Sequence, residues 1–332
     1  MSYILESMND RRIAKCPSCG EGVQAGWKIC PFCETRLQAA VCPLCGAQVQ
    51  PDWRRCPHCE ALLICPQCAT RIPQAMTRCP NCQEGGGEVS TPPEPIMETI
   101  CGLMMVFISA CTFEMGDLFG DGMENELPVH KVRLDAFHIG RCPVTQDQWL
   151  RLQSENPSHF RGGDLPVEQV TWDQARDFAR QLNLAHNGKY RFDLPTEAQW
   201  EYAARSGGRP ERYAGGDAID KVAWYEINSN GRTHPVGANM PNGLGLYDMS
   251  GNVWEWCRDT FAADAYVHHN AHNPLVDTAG PDRVIRGGSW NLDAWSSRCA
   301  RRFSFRADMF GAGLGFRLVM TAGDAAAGEV QS

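Results

Sequence analysis

Twelve of the chain's 17 cysteines fall between Cys16 and Cys82, and every one belongs to a CPxC pair. Taken in order, CPSC, CPFC, CPLC, CPHC, CPQC and CPNC form three quartets with one spacing, C-x2-C-x10-C-x2-C. The first is Cys16, Cys19, Cys30 and Cys33; the second is Cys42, Cys45, Cys56 and Cys59; the third is Cys65, Cys68, Cys79 and Cys82. The offsets between quartets, 26 and then 23 residues, mark an internal repeat. A CPxC turn aims two sulfurs at one point, and two such turns complete a tetrahedral thiolate cage. That is the ligand set of a structural zinc ion, with no coordination position left open for catalysis. Segments this short bury too little apolar surface to fold alone, so metal binding supplies most of their folding free energy. Trp27 and Trp53 occupy equivalent places in the first two repeats and Met76 in the third, as an apolar lid over each site. Thioredoxin-type redox chemistry would need a βαβ context that these segments are too short to supply.

The three segments, 16–33, 42–59 and 65–82, resemble tandem zinc ribbons, modules that bind proteins, bind nucleic acids or simply tether. Residues 1–82 carry nine Lys/Arg against six Asp/Glu with no clear basic face, so a protein and a nucleic acid both stay open as partners. The whole chain of 332 residues has a formal charge of -8, which argues against a protein built mainly to hold phosphate backbones. Three Zn(Cys)4 sites would take it to about -14. The longest apolar run, around Ile100 to Phe113, is too short for a membrane span and is broken by Gly102, Ser109 and Thr112. The opening residues MSYILESMNDRRIAK lack the basic-then-apolar layout of a signal peptide. The expectation is a cytoplasmic protein with no membrane association, where thiolates favour metal over disulfides. Residues 1–15 read as a tail, 83–99 (QEGGGEVSTPPEPIMET) as a flexible linker and 321–332 as a disordered tail.

Residues 100–320 hold eight of the ten tryptophans and are rich in glycine. Three helix starts share the capping-box signal Thr-x-x-Gln: Thr145/Gln148, Thr171/Gln174 and Thr196/Gln199. After the second, Ala175, Phe178, Ala179 and Leu182 fall on one helical face, with Gly188 beyond its end. Strands are expected at Met104–Ile108, Val129–Ile139, Arg283–Ile285 and Gly315–Val319. The fold class is α+β with an irregular, loop-rich body.

Four phrases, DLPTEAQWEYAAR, PNGLGLYDMSGNVWEWCRD, RVIRGGSW and LGFRLV, resemble the formylglycine-generating enzyme, or sulfatase-modifying factor, family. FEMGDLFGDG and ELPVHKVRLDAFHIG strengthen the resemblance, which spans about residues 100–320. It implies a C-type-lectin-like fold whose loops are held by buried tryptophans and, often, calcium. It also implies calcium ligands here at Asp248 and Glu255, with the carbonyls of Gly251 and Val253, oxygen donors suited to that ion. The family's oxidase uses two cysteines after RGGS[FYW], which bind copper as thiolates. In RGGSWNLDAWSSRCARR those two positions fall on Leu292 and Ser297, neither of which ligates copper. The expectation leans away from an enzyme, with a sulfatase-modifying-factor-type activity as the alternative.

Between RGGSW and LGFRLV lies NLDAWSSRCARRFSFRADMFGAG, which shows neither helical nor strand periodicity. It resembles the C-termini of variable proteins of diversity-generating retroelements, where mutagenesis at adenines turns AAC codons into NNC. NNC never encodes Lys, Glu or Gln. Those types make up 39 of the 332 residues, yet residues 291–314 contain none. Leu292, Asp293, Ser296, Ser297, Phe303, Ser304, Phe305, Phe310, Gly311 and Ala312 all fit NNC, while Trp295 and Met309 do not and are expected to be scaffold. Aromatic and small residues on a rigid frame suit an adaptable binding surface. The sequence therefore points to a non-catalytic protein that binds a protein or other ligand through this segment.

Overall fold

The computed structural model of the chain describes residues 94–323 together with four short strands nearer the N-terminus. The chain divides into two compact units, Met1–Thr91 and Pro92–Ser332. In the first, β1 (Ala14–Lys15) pairs antiparallel with β2 (Gly22–Val23), and β3 (Ala40–Val41) pairs likewise with β4 (Gln48–Val49). Each pair brackets in sequence the first CPxC of a quartet, so Cys16 and Cys19 follow β1 while Cys42 and Cys45 follow β3. The twelve cysteines themselves lie outside the described residues, as do most of the expected linker and the tail beyond Gly323.

The second unit is built on a five-stranded antiparallel sheet. Its members are β5 (Ile96–Met97), β6 (Met104–Ile108), β9 (Phe137–Gly140), β10 (Tyr190–Asp193) and β17 (Val319–Ala322), in the order β10-β17-β9-β6-β5. A hairpin of β7 (Cys111–Met115) and β8 (His130–Leu134) and a parallel pair of β11 (Ala223–Trp224) and β12 (Ser250–Gly251) stand beside it. A second sheet, of β13 (Trp254–Thr260), β14 (Asp282–Arg286), β15 (Arg302–Arg306) and β16 (Leu314–Gly315), has the order β15-β14-β13-β16. The helices are α1 (Gln146–Trp149), α2 (Trp172–Ala185), α3 (Glu197–Ala204), α4 (Ile219–Val222) and α5 (Ala265–His268).

Both ends of this unit reach further than the sequence suggests. Residues 94–99, expected as linker, enter the fold because β5 adds to β6 and because Glu98 is buried. Its carboxylate accepts from the Cys101 amide (2.8 Å) and pairs with His186 (2.8 Å). Thr321 and Ala322, expected as tail, lie in β17 and pair with Arg191 and Tyr190.

All three capping boxes form, with the Thr side chain accepting from the amide three residues on and the Gln side chain returning to the cap amide. On α2 the four apolar residues are fully buried against Phe192, Trp256 and Phe316. The expected strand Val129–Ile139 is broken into β8 and β9, and Gly315–Val319 is interrupted between β16 and β17. Between the sheets, tryptophans tie loops to the frame through their indole N–H groups. Trp172 donates to the Cys257 carbonyl, Trp256 to Val170 and Trp290 to Ala312, at 2.8–3.0 Å.

The core also holds charge. Arg205, Arg286, Arg298, Arg302 and Arg317 are all essentially inaccessible, and each meets a buried glutamate. Arg298 grips Glu126 with two bonds (2.8 and 2.9 Å), Arg302 grips Glu197 (2.6 and 2.9 Å) and Arg317 grips Glu255 (2.6 and 2.6 Å). Glu201 is shared by Arg205 and Arg286. These are forked, charge-assisted pairs whose desolvation cost is offset only while both partners remain. Arg298→Met leaves Glu126 buried without its fork, and the expected loss is about 3–5 kcal/mol of unfolding free energy by chemical denaturation.

Candidate functional site

A cleft of about 430 Å³ opens at the end of the β15-β14-β13-β16 sheet. Seven of the ten expected binding residues line it: Leu292, Ser296, Phe303, Phe305, Phe310, Gly311 and Ala312. Strand geometry explains part of this convergence. Phe303 and Phe305 are two apart on β15 and so share a face, with their rings edge to face at 5.8 Å. The Trp254 ring of β13 stacks alongside Phe303 at 6.1 Å. Phe310 is 60% exposed at the rim and Phe303 is 42% exposed.

Three residues of the expected set do not line the cleft. Asp293 closes a local turn, its Oδ1 accepting from the Ser296 amide at 2.9 Å. Ser297 is fully buried, and its carbonyl accepts from Ser250 Oγ. A Cβ on Gly288 would stand 2.6 Å from Ser297 Oγ, and Gly288 has φ 76°, so the RGGS turn requires glycine there. Ser304 lies between the two phenylalanines on β15, opposite Val284. Met309 was expected as scaffold but lines the cleft and is 46% exposed. Trp295 is scaffold as expected: Arg298 and Arg301 flank its ring at 4.6 Å each, and its indole N–H donates to Asp121. The absence of periodicity in this segment also needs correcting. Arg302–Arg306 is a regular strand, and three of the segment's arginines, Arg298, Arg301 and Arg302, are buried.

No cysteine lines the cleft. Cys299, the nearest in sequence, is fully buried, and burial pushes its thiol up to about 12. Burial likewise raises Cys101 and Cys142 to about 12 and Cys257 well above the usual thiol range. None of these thiols supplies a thiolate at neutral pH.

The expected calcium ligands do not fit that ion as they are arranged. Glu255 already has a cation, because both its oxygens accept from Arg317 and Oε2 also accepts from the Trp200 indole (2.8 Å). Asp248 is buried with amide donors, Gly237 N at 2.8 Å and Asn252 Nδ2 at 3.3 Å, and burial raises its pKa to about 6. Gly251, at φ 75°, serves another purpose: a Cβ there would stand 2.2 Å from the Trp224 carbonyl, so glycine permits the β11–β12 approach. The Val253 carbonyl belongs to the same segment, just before β13. Among the described residues no three His, Cys, Asp or Glu side chains converge as a metal site.

The segment HHNAH holds no metal cluster either. His268 and His272 face Asp264 and Asp135, whereas His269 turns inward and its Nδ1 lies 3.1 Å from His130 Nε2. Burial lowers the pKa of His269 to about 4.

The unit is thus a loop-rich α+β frame with an aromatic cleft beside a Gly287-Gly288 turn. Residues 97–322 match the sulfatase-modifying factor enzyme 1-like domain, and residues 16–60 match the double zinc ribbon. The chain belongs to the sulfatase-modifying factor family, with that domain preceded by a double zinc ribbon. It is 32% identical to the formylglycine-generating enzyme of Streptomyces coelicolor over 292 residues, covering 64% of this chain and 89% of the relative. It is 34% identical to the serine/threonine-protein kinase Pkn1 of Chlamydia trachomatis over 253 residues, 68% of this chain but only 38% of the kinase. Among solved structures, Treponema denticola variable protein 1 superposes with a TM-score of 0.61 at 30% identity, over 68% of this chain and 99% of that one. PvdO from Pseudomonas aeruginosa gives the same TM-score at 26% identity, over 69% and 98%.

One consequence of the buried carboxyls is a pH dependence. Burial, then repulsion from Glu197, pushes Asp259 up to about 7 from its ordinary 3.8, and burial pushes Glu168 to about 7. A carboxyl raised in this way stays protonated in the folded state where the unfolded chain has already ionised. Its contribution is therefore full below about pH 4 and is lost as pH rises through about 7. Melting temperatures are expected to fall between about pH 5 and pH 8. In Asp259→Asn that slope should shrink, although the variant also loses one acceptor for the amides of Glu197 and Val276.

Proposed function

We propose that the C-terminal unit is a non-catalytic binding domain whose cleft takes a protein or other ligand, carried on a frame of the C-type-lectin-like kind. The carrying observation is what stands where the family's oxidase places its two copper-binding thiolates. Leu292 lines the cleft there, Ser297 is buried beneath it, and no thiol faces the cavity. Copper(I) needs a set of soft ligands, and the cleft offers no thiolate and a single thioether, Met309. The grouping of seven NNC-compatible positions on one cleft supports a surface rewritten by a retroelement, as does the similarity to Treponema denticola variable protein 1. Calcium has no part in this reading, because Arg317 already neutralises Glu255.

The N-terminal unit completes the proposal as three ribbons holding three structural zinc ions. The third, Cys65, Cys68, Cys79 and Cys82, repeats the spacing of the two that match the double zinc ribbon. The ribbons would serve as a docking module for a protein or nucleic acid, and the whole protein would work in the cytoplasm.

Incubated with copper(I) and a peptide carrying a sulfatase-motif cysteine, the protein is expected to leave the peptide mass unchanged. Conversion of that cysteine would overturn the non-catalytic reading. A neighbouring reverse-transcriptase gene, with a template copy differing only at adenines, is the outcome that diversification requires; lacking both, the segment is an ordinary loop. Elemental analysis of the full chain is expected to find three zinc ions, and two after joint Cys65→Ser and Cys68→Ser substitution.

A further inference from the structure

Resting on the cleft as the binding surface, we infer that its occupant is an extended peptide segment of a partner protein. The segment lies along β15, seats apolar side chains on Phe303 and Phe305, and places a carboxylate on Arg301.

The backbone supplies the first argument. β15 is the end strand of its sheet and pairs only with β14. Its outer row of amide and carbonyl groups has no strand partner among the described residues. Soluble proteins usually blunt such an edge with charges, bulges or a covering element. Here the charge pair Arg306–Asp308 guards one end (2.7 Å), while Phe303 stands exposed on the strand itself. An unpaired edge beside an apolar cleft is the geometry of strand addition, in which backbone bonds give affinity and alternate side chains fill the pocket.

The side chains supply the second. Phe303, Phe305 and Phe310 present an apolar wall, and contiguous exposed apolar surface marks an interaction site. The third argument is charge. Arg301 is the one charged side chain that lines the cleft. Its nearest carboxylate, Glu126 at 3.9 Å, is already held by both terminal nitrogens of Arg298. The Arg301 Nε has no partner, and its Nη1 lies against Met123 Sδ at 2.8 Å. Burial, together with the charges of Arg298 and Arg286, outweighs the help of Glu126 and Asp293 and lowers the Arg301 pKa. A buried guanidinium in this condition gains most from a carboxylate brought by the ligand. A single cation is too few for the phosphate backbone of a nucleic acid, which needs a charged track.

The test pans phage-displayed random octapeptides against the full-length protein. Selected sequences should carry apolar residues at alternate positions with one Asp or Glu among them. In a synthetic copy, changing that acid to its amide should weaken binding to the unaltered protein roughly ten-fold or more, but by no more than about two-fold for Arg301→Gln. Methylating alternate backbone amides should abolish binding in one register and spare it in the other. Selection of neutral or basic sequences, indifference of the unaltered protein to loss of the acid, or equal tolerance of both methylated registers overturns the inference. So does recovery of no peptides at all. Peptides that bind Phe310→Asp as well as the parent would instead remove the cleft reading beneath it.

Discussion

Five arginines and four glutamates taken out of water hold the second unit together. Each pair alone would be a costly thing to bury, and hydrophobic isosteres often serve as well. Their value lies in what they join. Glu126 precedes β8, Glu197 and Glu201 lie on α3, and Glu255 lies on β13. Their partners come from the C-cap of α3, β14, β15 and the flanks of β15 and β16. A unit with short strands and long loops has few backbone ladders to define it. Forked bonds with fixed geometry select one arrangement of those loops, and a one-residue slip would strand a charge in the core.

The legible part of this fold was local. The capping boxes at Thr145, Thr171 and Thr196 could be read because each is an interaction across three residues, complete within its own segment. The α2 face could be read because 3.6-residue periodicity survives in a helix that packs on one side only. β13 could not, because Trp254 to Thr260 is buried on both faces and shows no alternation. Nor could β15. Its pattern Arg-Phe-Ser-Phe-Arg does alternate, but over only five residues and with the usual sense reversed: Arg302 faces inward to Glu197 while Phe303 is exposed. Apart from Arg205–Glu201, four residues apart at the end of α3, the ion pairs join residues 62 to 172 positions apart, and a single sequence carries no sign of which arginine meets which acid.

The candidate site divides the same way. The resemblance to retroelement variable proteins, with the absence of Lys, Glu and Gln, singled out the segment 291–314, and the fold gathered seven of its ten named positions on one cleft. Ser297 and Ser304 were misplaced because compatibility with a codon says nothing about which way a side chain points. The Asp248/Glu255 pair misled for a different reason. Oxygen donors around a Gly-Asn turn look alike whether a metal ion or a guanidinium balances them, and Arg317 lies 62 residues from Glu255. Arg301 was not singled out at all. Its signal was available only as an arginine between two aromatic residues, Trp295 and Phe303, over which it stacks.

The placement of the ion pairs bears on how such a surface could change without unfolding. Arg298 and Arg302 lie inside the segment proposed to vary, while their acids, Glu126 and Glu197, lie far outside it. Arginine can be written with codons that contain no adenine, whereas every glutamate codon contains one. A process that rewrites adenines would pass over the anchoring arginines and could never reach their partners. Position would then spare the glutamates and codon choice the arginines, so the charges stay fixed while the residues around them change.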